Sequence, residues 1–389
     1  MKRLITVISI VSLAACSKEI VFENTTPISK PIETTSIATT QPIQTYQWLS
    51  IPSGYASFAQ FDYNNDLLED IVQFQSYDMR VPYTWPGPSF YSSIGGSVVL
   101  GSIKLDNKRL FASTILTGDF NRDGFTDMFL LTGMDPAGCT GCRDPLAPLY
   151  VLTNVQGREF KVDSLNYQGV WNSGTTADID KDGDLDVIAF SIHHEYGDSI
   201  ENKVFINDGR GNFTTKQSDL NKIEFVDNAE LVDMNSDGYP ELIVNDIPSW
   251  KVSWNPAYPH LNRFRVFWND KQGNFIELNT TTIPIPDPMY TTQIVAYDLD
   301  KDGYKEIVLP LSRSDGGWEL QVYKTKDNKT FIEVTKQLVT DNIFNNISKL
   351  GHIAILDLDN NGLLDIFSKD KNKNLRWELN NNSTFSLHQ

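Results

Sequence analysis

The sequence predicts an all-β fold made of repeated four-stranded antiparallel units. Three observations carry that expectation: an acidic nonapeptide recurs six times, short apolar runs of strand length flank each copy, and a turn-centred hairpin pattern follows most of them. A helix would need about ten or more residues of 3.6-fold periodicity, which no flank supplies.

The nonapeptide reads D-x-[DN]-x-[DN]-[GL]-x-x-[DE]. Its positions 1, 3, 5 and 9 are Asp62, Asn64, Asp66 and Asp70 in the first copy, and Asp119, Asn121, Asp123 and Asp127 in the second. The third has Asp178, Asp180, Asp182 and Asp186; the fourth has Asp233, Asn235, Asp237 and Glu241. The fifth has Asp298, Asp300, Asp302 and Glu306; the sixth has Asp357, Asp359, Asn361 and Asp365. First positions lie 57, 59, 55, 65 and 59 residues apart, so each copy belongs to one structural repeat.

Oxygens at those four positions, with a backbone carbonyl near position 7, converge on one hard cation. Ca²⁺ takes about six to eight oxygens at roughly 2.3–2.6 Å, whereas Mg²⁺ demands a tighter octahedron and keeps more water, so several Ca²⁺ ions are the expected cofactors. Glycine at position 6 permits a reversal with positive φ. Leu67 replaces it in the first copy, and Asn361 replaces Asp at position 5 of the sixth. An EF-hand needs Glu at position 12; here that position holds Gln73, Leu130, Ala189, Val244, Leu309 or Ser368. Loops three and five, with four carboxylates each, are expected to bind tightest, and the first loop least. The competing account of any one loop is an empty Asx-turn.

Strand A before each loop is SFAQF, STILTG, TTADI, AELVD, QIVAYD or HIAILD. Strand B after it is DIVQF, DMFLL, DVIAF, ELIVN, EIVLP or DIFSK. Further on, YVLTNVQGREFKV, VFINDGRGNFTT, VFWNDKQGNFIEL, VYKTKDNKTFIEV and LRWELNNNSTFSL each read strand, polar turn, strand. One unit is therefore A, acidic loop, B, long connection, C, tight turn, D. The first unit is less regular after Gly95, and its C–D turn is placed near Asp106 and Asn107. Four-stranded units arranged in a ring form a β-propeller. Six recognisable repeats give six or seven blades.

This motif between strands resembles the FG-GAP/VCBS repeats of integrin α-chain N-terminal regions, lectins and bacterial surface proteins, over about residues 50–389. The resemblance implies a calcium-binding propeller whose ligands are the Asp, Asn and Glu residues named above.

The N-terminus reads as an address. Lys2 and Arg3 precede an apolar run, Leu4 to Leu13, far shorter than the roughly 20 residues a membrane-spanning helix needs. It ends in Leu13, Ala14, Ala15 and Cys16, which resembles a bacterial lipobox with Cys16 as the lipidated (palmitate-bearing) residue. Residues 1–15 are thus expected to be a lipoprotein signal peptide. Residues 16–46 are a Thr/Ser/Pro-rich tether, and 47–389 are the repeat domain. The expected location is the bacterial cell envelope, lipid-anchored, at the outer membrane on its periplasmic side or at the cell surface.

The chain carries 33 basic against 50 acidic residues, a formal charge of −17, which disfavours nucleic-acid partners. Six divalent cations would bring that charge to −5. Alternating strand direction sends acidic loops and C–D turns to one face and B–C connections to the other. The B–C inserts, residues 75–97, 131–149, 191–203, 246–263 and 311–318, carry Tyr83, Trp85, His193, His194, Trp250, Trp254, Arg313 and Trp318. Aromatic platforms beside polar groups suit a glycan or another envelope protein. Packing of the inserts is the alternative. His193 and His194 lack the helical i, i+4 spacing of a zinc motif. Cys139 and Cys142 form a CxxC with no helix after it, which reads as a local disulfide.

No nucleophile elbow, P-loop or dinucleotide-binding glycine pattern is present. The expected function is binding or adhesion without catalysis. The alternatives are a glycan-active enzyme such as a polysaccharide lyase, or a structural subunit of a surface complex.

Overall fold

In the computed structural model, the described residues are 56–68, 70–75, 88–94, 97–100, 104–105, 110, 112–132, 147–191, 201–216, 218, 220, 223, 226–246, 263–284, 293–312, 318–325, 327, 330–339, 343–344, 353–356, 365–369, 374–379 and 385–388. Residues 1–46, expected to hold a signal peptide, the lipidated Cys16 and a tether, lie outside them, as do Cys139, Cys142 and most of the sixth loop.

The described residues form six sheets in sequence order. Sheet one contains β1 (Ala56–Phe61), β2 (Asp70–Gln75), β3 (Ser89–Ile94) and β4 (Ser97–Leu100). Sheet two contains β5 (Lys104–Leu105), β6 (Thr114–Gly118), β7 (Asp127–Leu131), β8 (Ala147–Val155) and β9 (Glu159–Gly169). Sheet three contains β10 (Trp171–Ala177), β11 (Asp186–Ser191), β12 (Lys203–Asn207) and β13 (Phe213–Lys216). Sheet four contains β14 (Val226–Val232), β15 (Glu241–Asp246), β16 (Arg263–Asn269) and β17 (Phe275–Pro284).

Sheet five contains β18 (Val295–Tyr297), β19 (Glu306–Ser312), β20 (Trp318–Lys324) and β21 (Ile332–Glu333). A four-residue helix α1 (Thr335–Leu338) follows, and then β22 (Ile343–Phe344), which also pairs with β20. Sheet six contains β23 (Ile353–Leu356), β24 (Asp365–Lys369), β25 (Asn374–Leu379) and β26 (Phe385–His388). Within each sheet the A, B, C and D strands pair antiparallel in sequence order, as the repeat pattern predicts.

Sheet one departs from the expected turn. Ile94 pairs with Ser97, so only Gly95 and Gly96 separate C from D, a dipeptide that favours two-residue hairpins. The first insert is correspondingly shorter than read from sequence. Phe90 lies on β3 and is buried. The segment around Asp106 and Asn107 follows β5, which pairs parallel with β9 at the edge of sheet two.

The core explains why the B strands are nearly all apolar. Among the described residues, five clusters lie between consecutive sheets: one and two share Phe74, Phe90, Met128 and Phe160, and two and three share Phe120, Phe129, Trp171 and Phe205. Sheets three and four share Ile188, Phe190, Leu242 and Phe267; four and five share Ile243, Phe264, Ile307 and Leu309; five and six share Val308, Leu320, Ile353 and Ile366. A B strand packed on both faces has no polar side, so β7, β11 and β15 are buried at every residue. The first strands converge, with β1 against β6, β6 against β10 and β10 against β14. They are stitched by Thr114 Oγ1 donating to Asn172 O at 2.8 Å and Asn172 Nδ2 to Val226 O at 3.2 Å. The result is an all-β, propeller-like stack of antiparallel sheets with almost no helix.

Candidate metal centres

Each of the five described acidic loops is closed by its own side chains. In loop two, Asp119 accepts from the N–H of Asp123 at 3.0 Å and of Gly124 at 2.9 Å, Asn121 accepts from Asp123 at 2.9 Å, and Asp123 accepts from Phe125 at 2.9 Å. Loop four repeats this with Asp233, Asn235 and Asp237, and loop one with Asp62, Asn64 and Asp66. Such a turn needs residues with positive φ. At position 6 these are Gly124, Gly183, Gly238 and Gly303 (φ 87° to 93°), with Leu67 at 72°.

Position 4 is also left-handed, at Asn65, Arg122, Lys181, Ser236 and Lys301 (φ 59° to 67°). No shared residue type marks it, so the motif concealed it. Its side chain reaches the next loop: Asn65 Nδ2 donates to Gly124 O at 2.9 Å, Arg122 Nη2 to Asp182 O at 3.1 Å, Lys181 Nζ to Asp237 O at 3.2 Å, and Ser236 Oγ to Gly303 O at 2.8 Å. Loops one to five are thereby linked in series on one face.

The acid at position 9 sits beneath its loop. Asp127 accepts from Phe120 N at 3.0 Å and Asn154 N at 2.7 Å; Asp186 accepts from Ile179 N at 3.0 Å and Asn207 N at 2.9 Å. Glu241 and Glu306 accept from Met234 N and Leu299 N, each at 2.8 Å. These acids hold loop to sheet, and Asp186 also belongs to a group of carboxylates close enough to share a cation. Burial pushes Asp127 and Asp186 up to about 7 and Glu241 up to about 8, against which the backbone donors act.

In sheets two, three and four the C–D turn packs on the loop before it. Asn154, Asn207 and Asn269 close strand C in sheets two, three and four. Their Nδ2 groups donate to Tyr63 O, Phe120 O and Ile179 O at 2.7, 2.7 and 2.8 Å, which is always position 2 of the preceding loop. A Cβ at Gly157 would lie 2.7 Å from the Cα of Asn64, so the turn leaves no room for a side chain. The recurrent Asn in VLTN, VFIN and VFWN was a visible signal of this stitch.

Loop three fits a cation. Asp178, Asp180 and Asp186 can each direct one oxygen into a group whose atoms lie within 4.8 Å of one another. Asp178 Oδ1 is buried without a hydrogen-bond partner. Burial, then like charge from Asp182 and Asp180, raises the Asp178 carboxyl. That arrangement is unfavourable until a cation neutralises it.

Loop five brings Asp298, Asp300 and Asp302 equally close, but a side chain stands among them. Lys324 Nζ lies 2.8 Å from Asp302 and 3.2 Å from Glu306, and also pairs with Asp300. Burial opposes its charge, yet Asp300, Asp302 and Glu306 outweigh burial and hold the ammonium above the ordinary lysine value. Of loop six, only Asp365 is described, and it is buried.

Tyr83, Trp85, His193, His194, Trp250, Trp254 and Arg313 lie outside the described residues. Trp318 is 6% exposed and packs in the core between sheets five and six, with Leu320 and Val322, so its ring serves packing.

A comparison with the curated proteins finds no match. Among solved structures, the chain resembles an Agrocybe aegerita lectin described as recognising non-reducing terminal N-acetylglucosamine. The identity is 14%, the TM-score is 0.51, and the match covers 86% of this chain and 79% of that one. At that identity the likeness concerns the fold. Residues 178–244 and 252–309 match the sequence model of the FG-GAP-like repeat, and they span loops three to five with the sheets around them. These two segments are therefore FG-GAP-like repeats.

Proposed function

We propose that this chain is a calcium-stabilised β-propeller, anchored to the bacterial envelope through lipid on Cys16, that binds a glycan or a surface protein without catalysis. The observation that carries the metal reading is loop three, where Asp178 holds a buried, unpartnered carboxylate oxygen beside Asp180 and Asp186. Ca²⁺ would supply the positive charge that closes such a cage, with the chain's carboxylates and carbonyls as ligands.

Five successive sheet-to-sheet cores support a ring that closes through sheets six and one, giving six blades. Linking the loops in series makes one face a rigid base. The binding surface then falls to the opposite face, where the inserts carry Tyr83, Trp85, His193, His194, Trp250, Trp254 and Arg313. Aromatic rings present flat π-faces to sugar C–H groups, and one solved structure of similar fold is a lectin. Cys139 and Cys142 would pin the second insert as a disulfide.

A glycan array probed with the full chain in calcium, followed by product assays on every glycan retained, tests the reading. Retention without turnover, lost on Trp250→Ala and Trp254→Ala, is the expected result. Release of unsaturated sugar products would make the protein a lyase instead. Mass spectrometry of membrane-extracted protein, comparing Cys16 with Cys16→Ala, tests the anchor.

A further inference from the structure

We infer that the fifth loop carries its own cation, the ammonium of Lys324, and is not a divalent-metal site. This rests on the calcium reading of the other loops and reverses the expectation that loop five, with loop three, binds tightest.

Register places Lys324 beneath the loop. Ile307 pairs with Tyr323, so Lys324 stands across from Glu306, the position-9 acid. In sheets two, three and four, Met128 pairs with Leu152, Val187 with Phe205 and Leu242 with Phe267. Thr153, Ile206 and Trp268 therefore occupy the corresponding place. Of these four residues only Lys324 carries a positive charge, and it alone of the four forms ion pairs with its acidic loop. Cross-strand neighbours share a face, so a lysine here must direct its stem under the loop and its ammonium among the carboxylates.

The geometry leaves no vacancy for Ca²⁺. The Lys324 side chain is 6% exposed and that of Glu306 is 0% exposed. Lys324 Nζ is 2.8 Å from Asp302 Oδ2 and 3.2 Å from Glu306 Oε1, and also meets Asp300 Oδ2. Calcium would need several of the same oxygens at about 2.3–2.6 Å and would stand against a tethered positive charge that cannot leave without being buried unpaired. A neighbouring change accompanies the lysine. The residue after it, where Asn154, Asn207 and Asn269 stitch the other sheets, is Thr325. Met234 O, at position 2 of loop four, accepts instead from Lys305 N at 2.9 Å.

Lys324→Met keeps the apolar stem and removes the charge. Bound Ca²⁺ per chain, counted by elemental analysis after equilibrium dialysis of the full chain, should rise by one over the wild type. Asp300→Asn with Asp302→Asn in the wild type should leave the count unchanged, whereas Asp178→Asn with Asp180→Asn should lower it by one. A Lys324→Met count equal to wild type, or a loss of one ion on changing Asp300 and Asp302, overturns the inference while leaving the calcium reading intact. No ion bound by the wild type would overturn the calcium reading alone. Melting in chelator then decides about Lys324. Lys324→Met should lower the midpoint, and adding Glu306→Gln should restore part of it. No restoration would show that Lys324 does not serve as the countercharge.

Discussion

The side-chain amide of Asn207 donates to the carbonyl of Phe120 at 2.7 Å, joining the end of strand C in sheet three to the loop of sheet two, 87 residues earlier. The same amide reaches Leu185 O at 3.1 Å, and Asn207 Oδ1 accepts from Gly211 N at 3.2 Å. One buried side chain thus fixes a turn, its own loop and the neighbouring sheet. Asn207→Ala should cost about 1–3 kcal/mol, because buried backbone groups lose partners that water does not readily replace. Urea denaturation monitored by tryptophan fluorescence measures it. A shift in midpoint indistinguishable from that of an exposed Ala substitution would refute the stitch.

Leu67 adopts φ 72° where the other described loops have glycine, and it is 75% exposed. A left-handed non-glycine residue costs about 1–2 kcal/mol, and glycine gives back roughly 0.5–1 kcal/mol through unfolded-chain entropy. Leu67→Gly should therefore stabilise the protein by about 0.5–1 kcal/mol, with little burial lost. Differential scanning calorimetry should show a higher melting temperature, and a lower one would contradict the strain argument.

Removing divalent cations should destabilise the fold. At a hundredfold excess of ion over Kd, each occupied loop contributes about 2.7 kcal/mol, so a chelator should lower the melting midpoint by several degrees and calcium should restore it. Asp178→Asn with Asp180→Asn should shrink that difference. A midpoint indifferent to chelator would remove calcium from the account of stability.

Glu230 lies on β14, among the convergent first strands, and burial pushes its carboxyl from 4.5 up to about 8. The folded state keeps this proton over a range where the unfolded chain has lost it. Stability therefore falls as pH rises from 4.5 to 8 and levels off beyond. Glu230→Gln, neutral and nearly isosteric, should remove that part of the pH dependence and stabilise the protein at pH 8.5 relative to wild type. Parallel melts from pH 5 to about 9 test the sign; equal slopes for both proteins would contradict it.

Much of the fold was legible because the repeat is written twice over, once in its acidic spacing and once in strand-length apolar runs. Positions 1, 3, 5, 6 and 9 each demand a particular chemistry, so they recur as residue types. Position 4 demands only a left-handed backbone and a side chain able to donate, which Asn65, Arg122, Lys181 and Ser236 all meet. Nothing in their names betrays a shared role. The turn of sheet one was misplaced because Gly95 and Gly96 were read as the end of an insert rather than as the hairpin itself.

The sequence by itself determined the all-β repeat, the acidic loops and the order of strands within each unit, since these follow from local backbone preference and short-range spacing. Tertiary structure alone decided which apolar faces meet between sheets, that Trp318 serves packing, and that Lys324 stands inside the fifth loop. Those outcomes depend on residues brought together across strands and sheets, and a linear pattern of residue types does not encode which side chain completes a cage built elsewhere in the chain.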